Sequence, residues 1–184
     1  LERMGKAIGE VYSKFDVRAM RKLLPSLEDL EMKLRVQTIR DELKRQLPSD
    51  YKEALTILLA SVQSGKINGF DLWPYTEYVQ TYGLEDRKKS LNALKFLTQL
   101  FTAEFAVRPF LRLYPAETLQ YLERCSKDQD VHVRRWASEG SRPRLPWGER
   151  LQDFVRDPSP TLPILEALKF DPELYVRKSV ANHL

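Results

Sequence analysis

The sequence contains a single cysteine, Cys125, and only two histidines, His132 and His183. One thiol excludes an internal disulfide and any cysteine-based zinc cage. Cys125 is then either a core filler or an unpaired thiol, and a reducing, cytoplasmic setting is expected. Neither histidine falls in a metal-ligand spacing. Gly-rich phosphate loops, nucleophile elbows and H-E-x-x-H motifs are missing as well. The expectation is a protein that needs no metal and no cofactor. Long apolar runs are also lacking. The longest, Ala54 to Val62, is broken by Thr56 and Ser61, well short of the roughly 20 residues that cross a bilayer. No membrane association is expected and no signal peptide is visible, although a chain opening on Leu1 is expected to lack its native start. No stretch alternates apolar and polar residues with the β-branched enrichment of a strand, so no sheet is expected.

What remains is helical. The 184 residues are 42% hydrophobic and 30% charged, enough for one domain with a real core. Met32, Val36, Ile39, Leu43 and Leu47 recur at steps of three and four, which draws one apolar stripe along a helix. Ser26, opening Ser-Leu-Glu-Asp, is the expected cap of that helix and Pro48 its stop. Asp50 is expected to open the next helix, with Gly65 at its end. Connections are short and marked by Pro or Gly, as in antiparallel helix pairs. With no long interior linker, residues 1–184 are read as a single domain, a fragment lacking both native termini.

One internal repeat organises the second half. D-Q-D-V-H-V-R-R-W-A from Asp128 returns as D-P-E-L-Y-V-R-K-S-V from Asp171, an offset of 43 residues. That period lies within the roughly 40–47 residues of HEAT-type helical pairs, which bury their apolar faces only by stacking. The fold class expected is all-α, HEAT-like repeats stacked into a curved solenoid. In each repeat the acid suits the positive end of the helix dipole, and Val133 and Val176 are expected to point inward. Arg134, Arg135, Arg177 and Lys178 could form a basic rail for phosphates. Alternatively, Arg134 and Arg177 bond acidic residues of the neighbouring repeat. Both readings stay open. The net charge of +4 and the five arginines against two glutamates from Val131 to Arg150 suit a polyanion.

Three residues stand out chemically. Glu104 lies in an apolar stretch, Phe101 to Val107, ahead of Arg108-Pro109. A charge there is costly unless it is paired, so it is either functional or bonded to Arg108 four residues on. Glu139 ends a helix at Gly140. Beyond it a stiff loop, Ser-Arg-Pro-Arg-Leu-Pro-Trp-Gly148, carries Arg142, Arg144 and Trp147. Trp147 could stack on a nucleoside or plug a gap between helices.

The stretches F-T-A-E-F-A-V-R-P-F (Phe101–Phe110), V-R-R-W-A-S-E-G-S-R-P-R-L-P-W-G (Val133–Gly148) and Y-V-R-K-S-V-A-N-H-L (Tyr175–Leu184) resemble the AlkC branch of the AlkC/AlkD HEAT-like DNA alkylation repair glycosylases. The likeness extends through Gly69-Phe-Asp-Leu-Trp-Pro74 and Phe15-Asp-Val17. It implies a monofunctional glycosylase that removes cationic bases such as N3-methyladenine and N3-methylcytosine from double-stranded DNA. It makes Glu104 and Glu139 active-site carboxylates and turns Trp147 toward the damaged nucleoside. Arg135, Arg142, Arg144 and Lys178 become the expected DNA contacts, and the protein is expected to act as a monomer. The family carries a further acid just after its V-A-N-H-L segment, beyond the last residue of this chain. The competing expectation is a HEAT scaffold that binds nucleic acid or protein without catalysis.

Overall fold

The structure is a computed structural model that describes residues 1–63 and 65–183. Leu184, the last residue of the resembling stretch, lies outside them. Among the described residues there are thirteen α-helices and no strand. The first six are α1 (Glu2–Val11), α2 (Val17–Lys22), α3 (Leu24–Leu27), α4 (Met32–Gln46), α5 (Tyr51–Gln63) and α6 (Trp73–Tyr82). The next four are α7 (Arg87–Leu97), α8 (Arg108–Leu113), α9 (Pro115–Cys125) and α10 (Val131–Gly140). The last three are α11 (Gln152–Arg156), α12 (Leu162–Leu168) and α13 (Leu174–His183). None of these helices is long and apolar enough to cross a membrane.

The chain divides into two compact units, Leu1–Ala93 and Leu94–Leu184. The boundary falls inside α7 rather than in a linker. In the first unit α1 packs on α5 and α4 on α6. The apolar stripe of α4 supplies Val36 and Leu43 to the core, while Met32 at its start is half exposed. Ser26 does not cap α4. It lies within the short α3, where its Oγ donates back to the Leu23 carbonyl (2.7 Å). The cap position of α4 is Glu31, which makes no side-chain cap bond. The Ser-x-x-Asp pattern lies more than a turn ahead of α4, because Pro25 sits in the first turn of a separate short helix there. Asp50 does open α5, accepting from the Glu53 amide at 2.9 Å, and α4 ends at Gln46 just ahead of Pro48.

In the second unit α10 is the central helix, packed against α9, α12 and α13. Val133, Trp136 and Ala137 on α10 and Val176 on α13 are wholly buried. Cys125 is buried at the end of α9, where burial pushes its thiol up to about 12. It fills space and is not an activated nucleophile.

The 43-residue repeat has a shared geometry. Asp128 accepts from the Asp130 amide and Asp171 from the Glu173 amide, each at 2.9 Å. Arg134 donates to the carbonyls of Asp128 and Gln129, and Arg177 to those of Asp171 and Pro172. Each arginine thus folds back onto the turn that precedes its own helix, supplying donors to carbonyls that no helix satisfies. Arg134 also reaches into the next repeat, with Nε 2.6 Å from Asp171 Oδ2. Lys95 makes the equivalent link to Asp128, also at 2.6 Å. Of the two readings left open, bonding to an acid of the neighbouring repeat describes Arg134; Arg177 holds the carbonyls of its own preceding turn. The expected rail is reduced to Lys178, which is exposed.

Candidate active site

Glu104 and Glu139 meet although 35 residues separate them. Glu139 lies in the last turn of α10, and Glu104 in the turn that enters α8. Gly140 allows the approach. A Cβ there would lie 2.6 Å from Val107 Cγ1, so the Glu104 turn rests on bare backbone at the end of α10. Both acids are buried, at 7% and 5% exposure.

A set of donors neutralises them. Arg135 Nη1 lies 3.0 Å from Glu104 Oε2, and its Nη2 lies 3.6 Å from Glu139 Oε1. Arg142 Nη1 lies 2.6 Å from the same Glu139 oxygen. The other oxygen, Oε2, accepts from Ser179 Oγ of α13 at 2.6 Å. Thr102 Oγ1 accepts from Arg135 Nη1 at 3.0 Å. Two carboxylates and two guanidiniums leave the cluster close to neutral. Burial pushes the Glu104 carboxyl above the usual carboxylate range, with Arg135 pulling it back and Glu139 adding to the rise. A carboxylate whose proton affinity is raised in this way is a better proton acceptor than a solvated one.

Beside the cluster a pocket of about 250 Å³ is lined by Thr98, Gln99, Thr102, His132, Arg135 and Tyr175, among others. The Arg135 guanidinium sits over the Tyr175 ring, 5.3 Å from its centroid. His132 meets the same ring edge-on at 5.9 Å. Among the described residues no group of three His, Cys, Asp or Glu side chains could hold a metal ion. His183 is buried between the Ser138 carbonyl and Thr161, and burial pushes it down to about 4. It is a neutral packing residue at physiological pH.

The other candidate residues fall in different places. Arg135 and Arg142 are held by the glutamates, and Arg142 Nε is buried with no hydrogen-bond partner among the described residues. Arg144 is exposed, as is Lys178. Trp147 makes none of the bonds that join the glutamates. It stands on the following loop, 79% exposed, in a left-handed conformation (φ +64°). A bulky residue held there costs on the order of 1–3 kcal/mol, which the rest of the loop must offset. At that exposure Trp147 plugs no gap between helices, and its indole stands out in solvent.

The offset is supplied from α8. Arg108, which local spacing paired with Glu104, does not touch it. Its guanidinium is wholly buried and donates to four carbonyls: Gly140 (3.0 Å), Arg142 (2.8 Å), Pro143 (3.3 Å) and Glu149. Burial pushes Arg108 down to about 10, a value at which it stays charged at neutral pH.

Sequence reasoning missed Arg108, Ser179 and Tyr175 as parts of this site. The repeat carried a signal for two of them. Ser179 and Tyr175 stand 43 residues after Trp136 and His132, so a small hydroxyl replaces a buried indole where the second helix faces Glu139.

Stacked helical pairs with a shared Asp–Arg repeat, carrying two buried ion-paired glutamates beside one helix end, define a HEAT-like protein with a buried carboxylate site. The comparisons agree with that class. Compared with models of known protein families, the chain matches none. It is 48% identical over 156 residues to the uncharacterized protein YhaZ of Bacillus subtilis (strain 168), covering 85% of this chain and 43% of that protein. Its structure resembles that of the Pseudomonas fluorescens alkylpurine DNA glycosylase AlkC bound to DNA containing an abasic site analog. The TM-score is 0.90 at 41% identity, over 98% of this chain and 50% of that one. Over 98% of its length the chain thus resembles an AlkC glycosylase in both sequence and fold. It spans about half the length of the relatives it matches.

Proposed function

We propose that this chain forms the catalytic part of a monofunctional DNA glycosylase that hydrolyses the N-glycosidic bond of cationic alkylated bases, such as N3-methyladenine and N3-methylcytosine, in double-stranded DNA. The observation that carries this reading is the pairing of Glu104 with Glu139 through Arg135. Two buried acids on one arginine, next to an exposed indole loop, match the needs of this reaction. An alkylated base already bears positive charge and departs as a neutral molecule with the electron pair of the C1′–N bond. No acid need protonate it. What the reaction requires is negative charge beside the oxocarbenium-like sugar, then a base for the incoming water. Glu139 supplies the charge. Glu104, with its raised proton affinity, takes the proton of the water as the new C1′–O bond forms. The face of Trp147 attracts the cationic nucleoside.

Base release from methylated duplex DNA tests the proposal, with the freed base identified chromatographically. The expected result is free methylated base and an abasic site. A folded protein that binds the duplex and releases nothing would favour the binding-module reading. That alternative has one observation on its side, since both carboxylates are already ion-paired.

The exposed cations Arg144 and Lys178 are proposed to contact phosphates. Arg144→Ala and Lys178→Ala are each expected to weaken duplex binding whatever the sequence. Each should also reduce the slope of log K against log salt concentration by about one, the counterions released by one contact. Binding titrations at several salt concentrations check this. An unchanged slope removes that residue from the interface.

A further inference from the structure

We infer that Arg108 is a positioning residue that presents Trp147 to the DNA in one fixed orientation, an inference that rests on the proposed glycosylase function. Arg108 opens α8, directly after the turn that carries Glu104. Its guanidinium reaches across to both ends of the Trp147 loop. It takes the carbonyls of Gly140, Arg142 and Pro143 where the loop leaves α10, and that of Glu149 where the loop returns. A second arginine of the same helix strengthens the return, with Arg112 Nε 2.7 Å from Glu149 Oε1. The stem contributes as well. A Cβ on Gly148, the residue after Trp147, would lie 3.3 Å from Arg108 Cδ and 3.2 Å from Leu145 Cβ, so the chain crosses the arginine at close range. The Leu151 amide bonds the Pro143 carbonyl (3.1 Å) and closes the loop.

A planar fork with five donors suits this task and a lysine does not, because one ammonium cannot reach carbonyls spread over ten residues. Arg108 thereby links the three residues assigned to catalysis. It follows the Glu104 turn, bonds the backbone one residue beyond Glu139, and supports the loop that holds Trp147 in its unfavourable conformation.

The test uses Arg108→Lys, Trp147→Ala and the double variant in the full chain, with single-turnover base release and duplex affinity measured side by side. Arg108→Lys is expected to slow release at least about tenfold while Kd moves less than about threefold. In the double variant the second change should cost less than about threefold more, because both act through the same indole. Release at the wild-type rate overturns the inference, and so do penalties that simply multiply. A further measurement needs no variant. The backbone amide of Trp147 in the unaltered protein should show an NMR order parameter near 0.85, as in a helix, despite its exposure. A value below about 0.6 means the loop is not clamped, and the inference falls even where Arg108→Lys proves unable to fold. If the unaltered protein releases no base, the glycosylase reading fails and the order parameter still decides the clamp.

Discussion

Glu139→Gln is expected to slow base release by about 10²- to 10³-fold while changing duplex affinity by less than about threefold. The substitution is isosteric, so its neighbours survive it. The amide oxygen can face Arg142 and Arg135 where Oε1 now does, and the amide nitrogen can donate to Ser179 Oγ in place of the bond it now receives. What disappears is one negative charge in a buried cluster whose other charges sum to one net positive. A cationic sugar forming there loses its stabilisation, whereas the phosphates of the ground-state duplex meet a slightly more positive surface. The rate and the affinity should therefore separate. Single-turnover kinetics with saturating enzyme, beside equilibrium binding to the same duplex, measures both. Equal losses in the two, with a lowered melting temperature, would make Glu139 a structural acid and sink the catalytic assignment.

The parts of this site that could be read from sequence are those set by local spacing or by repetition. Asp128 and Asp171 could be matched because a HEAT pair repeats its turn along with its helix, and the two turns share the same hydrogen bonds. Gly140 marked the end of α10 because a residue without Cβ is cheap at a helix terminus; its closer reason, the approach of Val107, needs the fold. Arg108 shows where spacing fails. Four residues from Glu104, it looks like an intrahelical partner, but Pro109 starts a helix there and the four-residue relation does not exist in the turn before it. Its true partners lie 32 to 41 residues away and are backbone carbonyls, which no side-chain pattern records. The phosphate contacts expected of Arg135 and Arg142 meet a related difficulty, since both guanidiniums are ion-paired here. Arg135 shares α10 with Glu139 and Arg142 follows that acid by three residues, and such spacing does not reveal whether a phosphate or the acid holds the guanidinium.

Asp171→Asn is expected to destabilise the protein by about 3 kcal/mol at neutral pH, the cost of breaking a largely buried ion pair by removing one of its charges. The side chains of Arg134 and Asp171 are 14% and 4% exposed. The carboxylate serves three donors at once: Arg134 Nε at 2.6 Å, Arg134 Nη2 at 3.2 Å and the Glu173 amide at 2.9 Å. Asparagine keeps one oxygen for these three and turns an amide group with two protons toward a guanidinium. A loss of this size lowers the melting temperature by roughly 10 °C. Its pH dependence separates charge from packing. Burial raises the Asp171 carboxyl, but the Arg134 bond, the Glu173 amide and the charges of Arg134 and Arg177 outweigh it and hold the group below the usual range. A carboxyl depressed on folding contributes stability that is fully present above its unfolded pKa of about 4 and disappears as the pH falls through its lower folded value. Wild-type and Asp171→Asn melting temperatures should thus differ at pH 7 and converge as the solution is acidified through that lowered folded value. A gap of the same size at both pH values would show that shape and not charge ties the two repeats together at this point. Because Ser179 reaches Glu139 from the helix that Asp171 precedes, the same variant should also slow base release as the temperature approaches its lowered melting point, and leave the rate intact well below it.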